Sequence, residues 1–280
     1  MRRLTDLALL GAALLLLTAS ASAEEPSGAG ELRVCADPNN LPFSNQAREG
    51  FENKLADMIA QKFGKKIVYT WWAQRRGFVR HTLKAGDCDL VIGVPAHYGL
   101  VETTIPYYRS TYVFVTQQAR HLDLTSLTDA RLHRLRIGVH LIGDDGNNPP
   151  PAHVLGQEGI IENVRGYPIY GDYRQANPPA RLIDAVADGE IDVAAAWGPL
   201  GGYFAKHSQV PLAVTAIVDG DKFAPERFQF DIAMGVRKGD DRLRDQLNAF
   251  IAQNRGEITA LLKSYGVPLV ETQSTASGAH

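Results

Sequence analysis

The chain has only two cysteines, too few for a disulfide-built scaffold, and their separation fits no zinc-ligand pattern. It also lacks an excess of one charge: 29 basic residues stand against 31 acidic, a net charge of −2. That balance argues against nucleic acid or an anionic membrane surface as the main partner. The apolar run from Leu7 to Leu17 falls well short of the ~20 residues that span a bilayer. There is no Gly-x-Ser-x-Gly, no His-Glu-x-x-His and no phosphate-cradling glycine loop. The expectation is a protein that is not an enzyme and carries no cofactor and no metal. What is present is ordinary: 45% apolar and 21% charged residues, ample for a globular core.

Arg2 and Arg3 precede the apolar run, and Ala21-Ser22-Ala23 follows it with small residues at both positions a signal peptidase reads. Residues 1–23 are therefore expected to be a cleaved secretory signal peptide, with export to the periplasm and no membrane anchor. In an oxidising compartment Cys35 and Cys88 can pair; two buried free thiols are the other reading. Both lie in or just before strand-like runs, Leu32 to Ala36 and Leu90 to Val94.

Strand and helix patterns alternate. After Leu32–Ala36 come helical spacing at Leu55, Met58, Ile59 and Phe63, a strand-like Ile67–Trp71, a helical pattern at Phe78, Val79 and Leu83, and the continuous apolar Leu90–Val94. The alternation predicts an α/β fold with mostly parallel sheets flanked by helices. The pattern then repeats at one offset. Leu32-Arg33-Val34 matches Leu135-Arg136-Ile137, and the Gly86-Asp87-Cys88-Asp89 turn matches Gly189-Glu190-Ile191-Asp192. Two lobes of one plan follow, joined by β-rich runs. Expected boundaries are a linker over 24–31, lobe 1 over 32–111 and 237–268, lobe 2 over 118–227, crossovers at 112–117 and 228–236, and a disordered tail over 269–280. The last amphipathic stretch, from Leu243 to Tyr265, has no sheet of its own and is expected to pack back on lobe 1.

Several blocks carry a family likeness: Pro42-Phe43, Gly50-Phe51 running into a helix, Gly86-Asp87-Cys88-Asp89, Pro106-Tyr107 and Gly189-Glu190-Ile191-Asp192. Over roughly residues 31–268 the chain resembles the type II periplasmic binding proteins of extracellular solute-binding family 3. Longer blocks narrow this: Arg33 to Asn45, Tyr69 to Phe78, Gly143 to Asn147 and Ala195 to Pro199. They look like the MxaJ/XoxJ-type methanol-oxidation proteins. The resemblance implies a two-lobed fold with two crossovers at a hinge. It also implies an accessory role toward a periplasmic PQQ-dependent quinoprotein methanol/alcohol dehydrogenase, with its cytochrome c as a second candidate partner. The alternative is the receptor of an importer for a small molecule. In this fold the strands leading into Cys35 and Cys88 are neighbours, so a disulfide confined to lobe 1 is implied.

In open parallel sheets, ligands sit beyond the carboxyl ends of strands. Asp37, Asn39, Asn40 and Phe43 follow the first strand, Trp72 the second, and Trp197 the strand of lobe 2 that matches Leu90–Val94. These are the candidate cleft or partner contacts, although Asx residues at such places also build turns. Asp144, Asp145 and Asn147 form a further polar cluster, too few oxygens for a hard cation. His97, His140 and His153 are separated and read as solvated or hydrogen-bonded side chains. The amino-acid receptors of the family place an arginine near position 100 and a carboxylate after the matching strand of lobe 2. Here those places read Leu100 and Trp197-Gly198-Pro199. Burying an unpaired charged ligand costs several kcal/mol, so a free amino acid is a poor ligand.

Overall fold

The computed structural model describes residues 30–141, 148–169 and 173–271. The expected signal segment, positions 272–280 of the tail, and Asp144, Asp145 and Asn147 lie outside the described residues. The chain opens with β1 (Glu31–Ala36), a small hairpin of β2 (Asn39–Asn40) and β3 (Ser44–Asn45), helix α1 (Phe51–Phe63) and β4 (Lys66–Trp71). A single turn, α2 (Phe78–His81), leads to β5 (Leu90–Pro95), β6 (Glu102–Thr103) and the long β7 (Tyr108–Gln117). The second lobe holds β8 (Ile137–Leu141), α3 (Pro150–Gln157), β9 (Val164–Pro168), α4 (Arg181–Ala187), β10 (Val193–Trp197), α5 (Gly198–His207) and β11 (Leu212–Ala216). Then β12 (Gln229–Val236) returns to the first lobe, where α6 (Asp241–Gln253) and α7 (Arg255–Ser264) are the last helices; the tail expected to be disordered from 269 starts ordered, with Leu269 packed on the lobe 1 core and Val270 N–H bonded to Arg109 O.

The strand order is β4-β1-β5-β12-β7-β10-β8-β9, with β11 beside β7 and β6 beside β12. β7 belongs to both lobes. Its first residues, Tyr108 to Thr111, pair with β12, and Tyr112 to Thr116 pair with β10. The crossover expected over 112–117 thus belongs to a strand that begins four residues earlier, because Tyr108 is already in the ladder. The helical pattern expected at Phe78, Val79 and Leu83 is helical only over α2. Beyond it, turns carry the chain, with Lys84 N–H bonded to Val79 O and Asp87 N–H to Thr82 O, while Leu83 is still buried. The final amphipathic stretch is two helices broken at Asn254, and Leu247, Phe250, Ile258 and Leu262 join the lobe 1 core with Phe51, Leu55 and Ile59.

The repeat read from sequence has a structural counterpart at the same offset. In lobe 1, β1 lies between β4 and β5, all parallel, with Val34 opposite Leu90; in lobe 2, β8 lies between β9 and β10, with Ile137 opposite Val193. Each turn also carries a matching ion pair. Arg33 donates from Nε and an Nη to both oxygens of Asp89 at 2.8 and 2.6 Å, and Arg136 does the same to Asp192 at 3.1 and 2.7 Å. The partner backbone bonds match as well, Asp89 N–H to Arg33 O and Asp192 N–H to Arg136 O, both 2.8 Å. The Arg136 guanidinium holds the Asp192 carboxyl well below the usual carboxylate range. The lobes differ where the cysteines sit. Cys35 and Cys88 form a disulfide with Cα atoms 5.6 Å apart. In lobe 2 the Ile191 side chain packs onto Gly138, where an added Cβ would stand 2.5 Å from Ile191 Cδ1.

Candidate functional site

The carboxyl ends of β1, β4, β5 and β10 converge on a cleft between the lobes. Its floor encloses a cavity of about 200 Å³ lined by Phe43, Glu52, Gln74, Val94, Tyr108 and Trp197, among others. Glu52 stands in the first turn of α1, beside Gly93 of β5, where an added Cβ would meet the carboxyl oxygen at 2.0 Å. Its carboxyl has no hydrogen bond or ion pair among the described residues. Burial, and then the negative charge of Asp37, push the Glu52 carboxyl up to about 8. Among the residues lining this cavity, none is basic. Leu100, near the expected arginine position, is 42% exposed and lines a different surface.

The mouth of the cleft is bridged by direct contacts between lobes. Asp37 is fully buried; its carboxylate accepts from Asn39 N–H at 2.8 Å, Gln74 N–H at 2.7 Å and the Tyr173 hydroxyl at 2.8 Å. Burial and that bond hold the Tyr173 hydroxyl above its ordinary range. Asn39 donates to Gln175 O at 2.7 Å and accepts from Asn177 N–H at 3.3 Å, while the Arg75 guanidinium lies 5.1 Å from the Tyr173 ring centre. Leu41, from the hairpin of lobe 1, is buried in the lobe 2 cluster with Val113, Leu182 and Leu200. Asp37 is therefore both a turn builder and a contact across the cleft, whereas the Asn39 side chain is a contact across the cleft.

The remaining candidates separate by environment. Asn40 and Phe43 line the cavity, and Phe43 packs edge-on against Phe51 at 5.4 Å. Trp197 is partly buried, edge-on to Tyr112 at 5.3 Å and Phe230 at 5.7 Å, and packs on the lobe 1 core. Trp72 lies apart from it: it is 48% exposed and stacks on His81. His97 is exposed, and His153 bonds Glu226 at 3.0 Å. His140 is buried, its Nε2 has no partner among the described residues, and burial pushes it down to about 4. Among the described residues no group of His, Cys, Asp or Glu is arranged to hold a metal ion, and no helix is long and apolar enough to cross a membrane.

Glu52 was not among the sequence candidates, and it carries a pH-dependent prediction. Between the ordinary carboxyl value and about 8, the native state holds a proton that the unfolded chain has released. Stability contributed at this site therefore falls as pH rises through that window and levels off above it. Glu52→Gln should be near neutral around pH 5 and stabilising at about pH 9, by an amount on the order of a few kcal/mol. Melting curves of both proteins across pH check this; a constant difference between them would contradict it.

Comparison with known proteins points the same way. The model for bacterial extracellular solute-binding proteins, family 3, matches residues 32–268. Protein MoxJ of Methylorubrum extorquens is 34% identical over 264 residues, 90% of this chain and 85% of MoxJ. The crystal structure of the periplasmic binding protein XoxJ from Methylobacterium extorquens AM1 superposes with a TM-score of 0.71 at 35% identity, covering 86% of this chain and all of XoxJ. That of MxaJ from Methlophaga aminisulfidivorans MPT gives 0.72 at 26% identity, covering 85% of this chain and all of MxaJ. With the match spanning both lobes and the cleft between them, the chain belongs to the bacterial extracellular solute-binding proteins, family 3.

Proposed function

We propose that the protein is a periplasmic accessory protein that assists maturation or activation of a PQQ-dependent methanol/alcohol dehydrogenase by direct contact. The observation that carries this is the cavity lining: it offers one carboxyl and no basic group, so an amino-acid carboxylate would be buried without a counter-charge. The likeness to MoxJ, XoxJ and MxaJ supports a methanol-oxidation association over import of amino acids. The cavity-lining residues Asn40, Phe43 and Trp197, together with the exposed Trp72 apart from them, mix polar groups with aromatic anchors, a composition suited to a protein interface. The small cavity keeps one rival open, a receptor for a compact ligand that is not a free amino acid.

None of the twenty amino acids should raise the melting temperature. A ligand at 100 times its Kd adds about 2.7 kcal/mol, a shift of several degrees. A clear rise at millimolar concentration with any of them would overturn the assignment of the cavity. The test of the partner is capture of the tagged protein from periplasm, followed by an alcohol dehydrogenase assay of the captured fraction. The expected result is co-elution of the dehydrogenase. Co-elution with a permease complex, and no dehydrogenase, would return the receptor reading.

A further inference from the structure

Lobe 1 carries a second concavity, separate from the floor of the cleft and larger, about 700 Å³. One wall is basic: Arg75, Arg76, Arg80 and Lys84 all line it, all are exposed, and no acidic residue does. In a chain with more acidic than basic residues, that is a local reversal of charge. The side chains of Arg80 and Lys84 make no ion pair or hydrogen bond among the described residues. The floor is apolar, formed by Phe78, Val79, Val91 and Val94, and these rest on the cluster that contains the Cys35–Cys88 disulfide. The far wall is Tyr98 and Leu100, and Leu100 is one of the few large apolar side chains left exposed. The groove meets the cleft at Gln74 and at Gly93 to Pro95, which line both.

A solvated basic face would not need an apolar floor, and a ligand pocket for a small anion would not leave Leu100 exposed at its rim. Together they fit a chain segment that brings both carboxylates and a large apolar side chain. We propose that this groove docks an acidic, extended segment of a partner protein. The carboxylates face Arg80 and Lys84, and one aromatic or aliphatic side chain seats between Val94 and Leu100. This goes beyond the accessory reading, because it concerns a different surface and does not depend on which protein supplies the segment.

The test uses the folded protein and a fluorescein-labelled peptide in which glutamates flank one central tryptophan, with a lysine counterpart and a tryptophan-free version as controls. Fluorescence anisotropy should show saturable binding of the acidic peptide that weakens with salt, weaker binding of the tryptophan-free version, and none of the lysine peptide. The double variant Arg80→Glu, Lys84→Glu should bind at least about tenfold more weakly, and Leu100→Ser should also lose affinity, with melting temperatures unchanged at these exposed positions. Equal binding of acidic and basic peptides, wild-type binding by the double variant, or no saturable binding would overturn the proposal. Competition by free glutamate as strong as by the peptide would also overturn it, by pointing to a small-anion site. A failed dehydrogenase capture with positive peptide binding would remove the accessory reading alone.

Discussion

Replacing Cys35 and Cys88 together by alanine should lower the unfolding free energy by about 4 kcal/mol. The bridge closes a loop of 53 residues, and the loop-closure model gives that magnitude, reduced by any native strain. Both half-cystines are buried beneath Val79, Leu83 and Val91, so alanine also leaves unfilled volume in the cluster. For a chain of this size, roughly 10 °C of melting temperature should be lost. Alkylation of the unfolded wild type without reductant should find no free thiol. Labelling of both cysteines, or an unchanged melting temperature in the double variant, would contradict the pairing.

The second large effect separates two tryptophans that look alike in the sequence. Trp197 ends β10 in lobe 2 yet packs on the lobe 1 core, between Tyr112 and Phe230. Trp197→Ala should therefore cost about 3 kcal/mol or more and loosen the join between lobes. Trp72, half exposed and stacked only on His81 among aromatic rings, should cost less than about 1 kcal/mol when truncated. Paired urea denaturation curves decide this, and equal losses would contradict the assignment. A consequence for function follows. Loss of dehydrogenase capture in Trp197→Ala can arise from instability, whereas loss in Trp72→Ala at unchanged stability reports contact.

The repeat explains why so much of the architecture was legible. In each lobe the strand pairing is accompanied by an ion pair between an arginine near the strand start and an aspartate in the turn, and both residues recur at one offset, so Arg33–Asp89 predicts Arg136–Asp192. Cys35 and Cys88 could be paired once their strands were recognised as neighbours. Glu52 was hidden because an acidic residue in the first turn of a helix is the common surface case. Only the approach of Gly93 from β5 turns it into a cavity wall. The bridge from Asp37 and Asn39 to Tyr173 and Gln175 spans more than 130 positions, and no local pattern encodes it. The basic wall spans Arg75 to Lys84, a stretch whose Phe78, Val79 and Leu83 read in sequence only as a helical pattern; half of the apolar floor comes from β5, which only folding brings beneath it. The break at Asn254 escaped notice because apolar spacing runs through it on both sides.

The measurement that tests the accessory role most directly is dehydrogenase specific activity in a strain lacking this gene. Periplasmic methanol dehydrogenase activity is measured per unit of dehydrogenase protein, in the deletion strain, in the complemented strain and in a strain carrying Trp72→Ala. The account predicts lowered specific activity in the deletion strain, recovery on complementation with the wild type, and incomplete recovery with Trp72→Ala. Wild-type specific activity in the deletion strain would contradict the accessory function and return the chain to the solute receptors of its family.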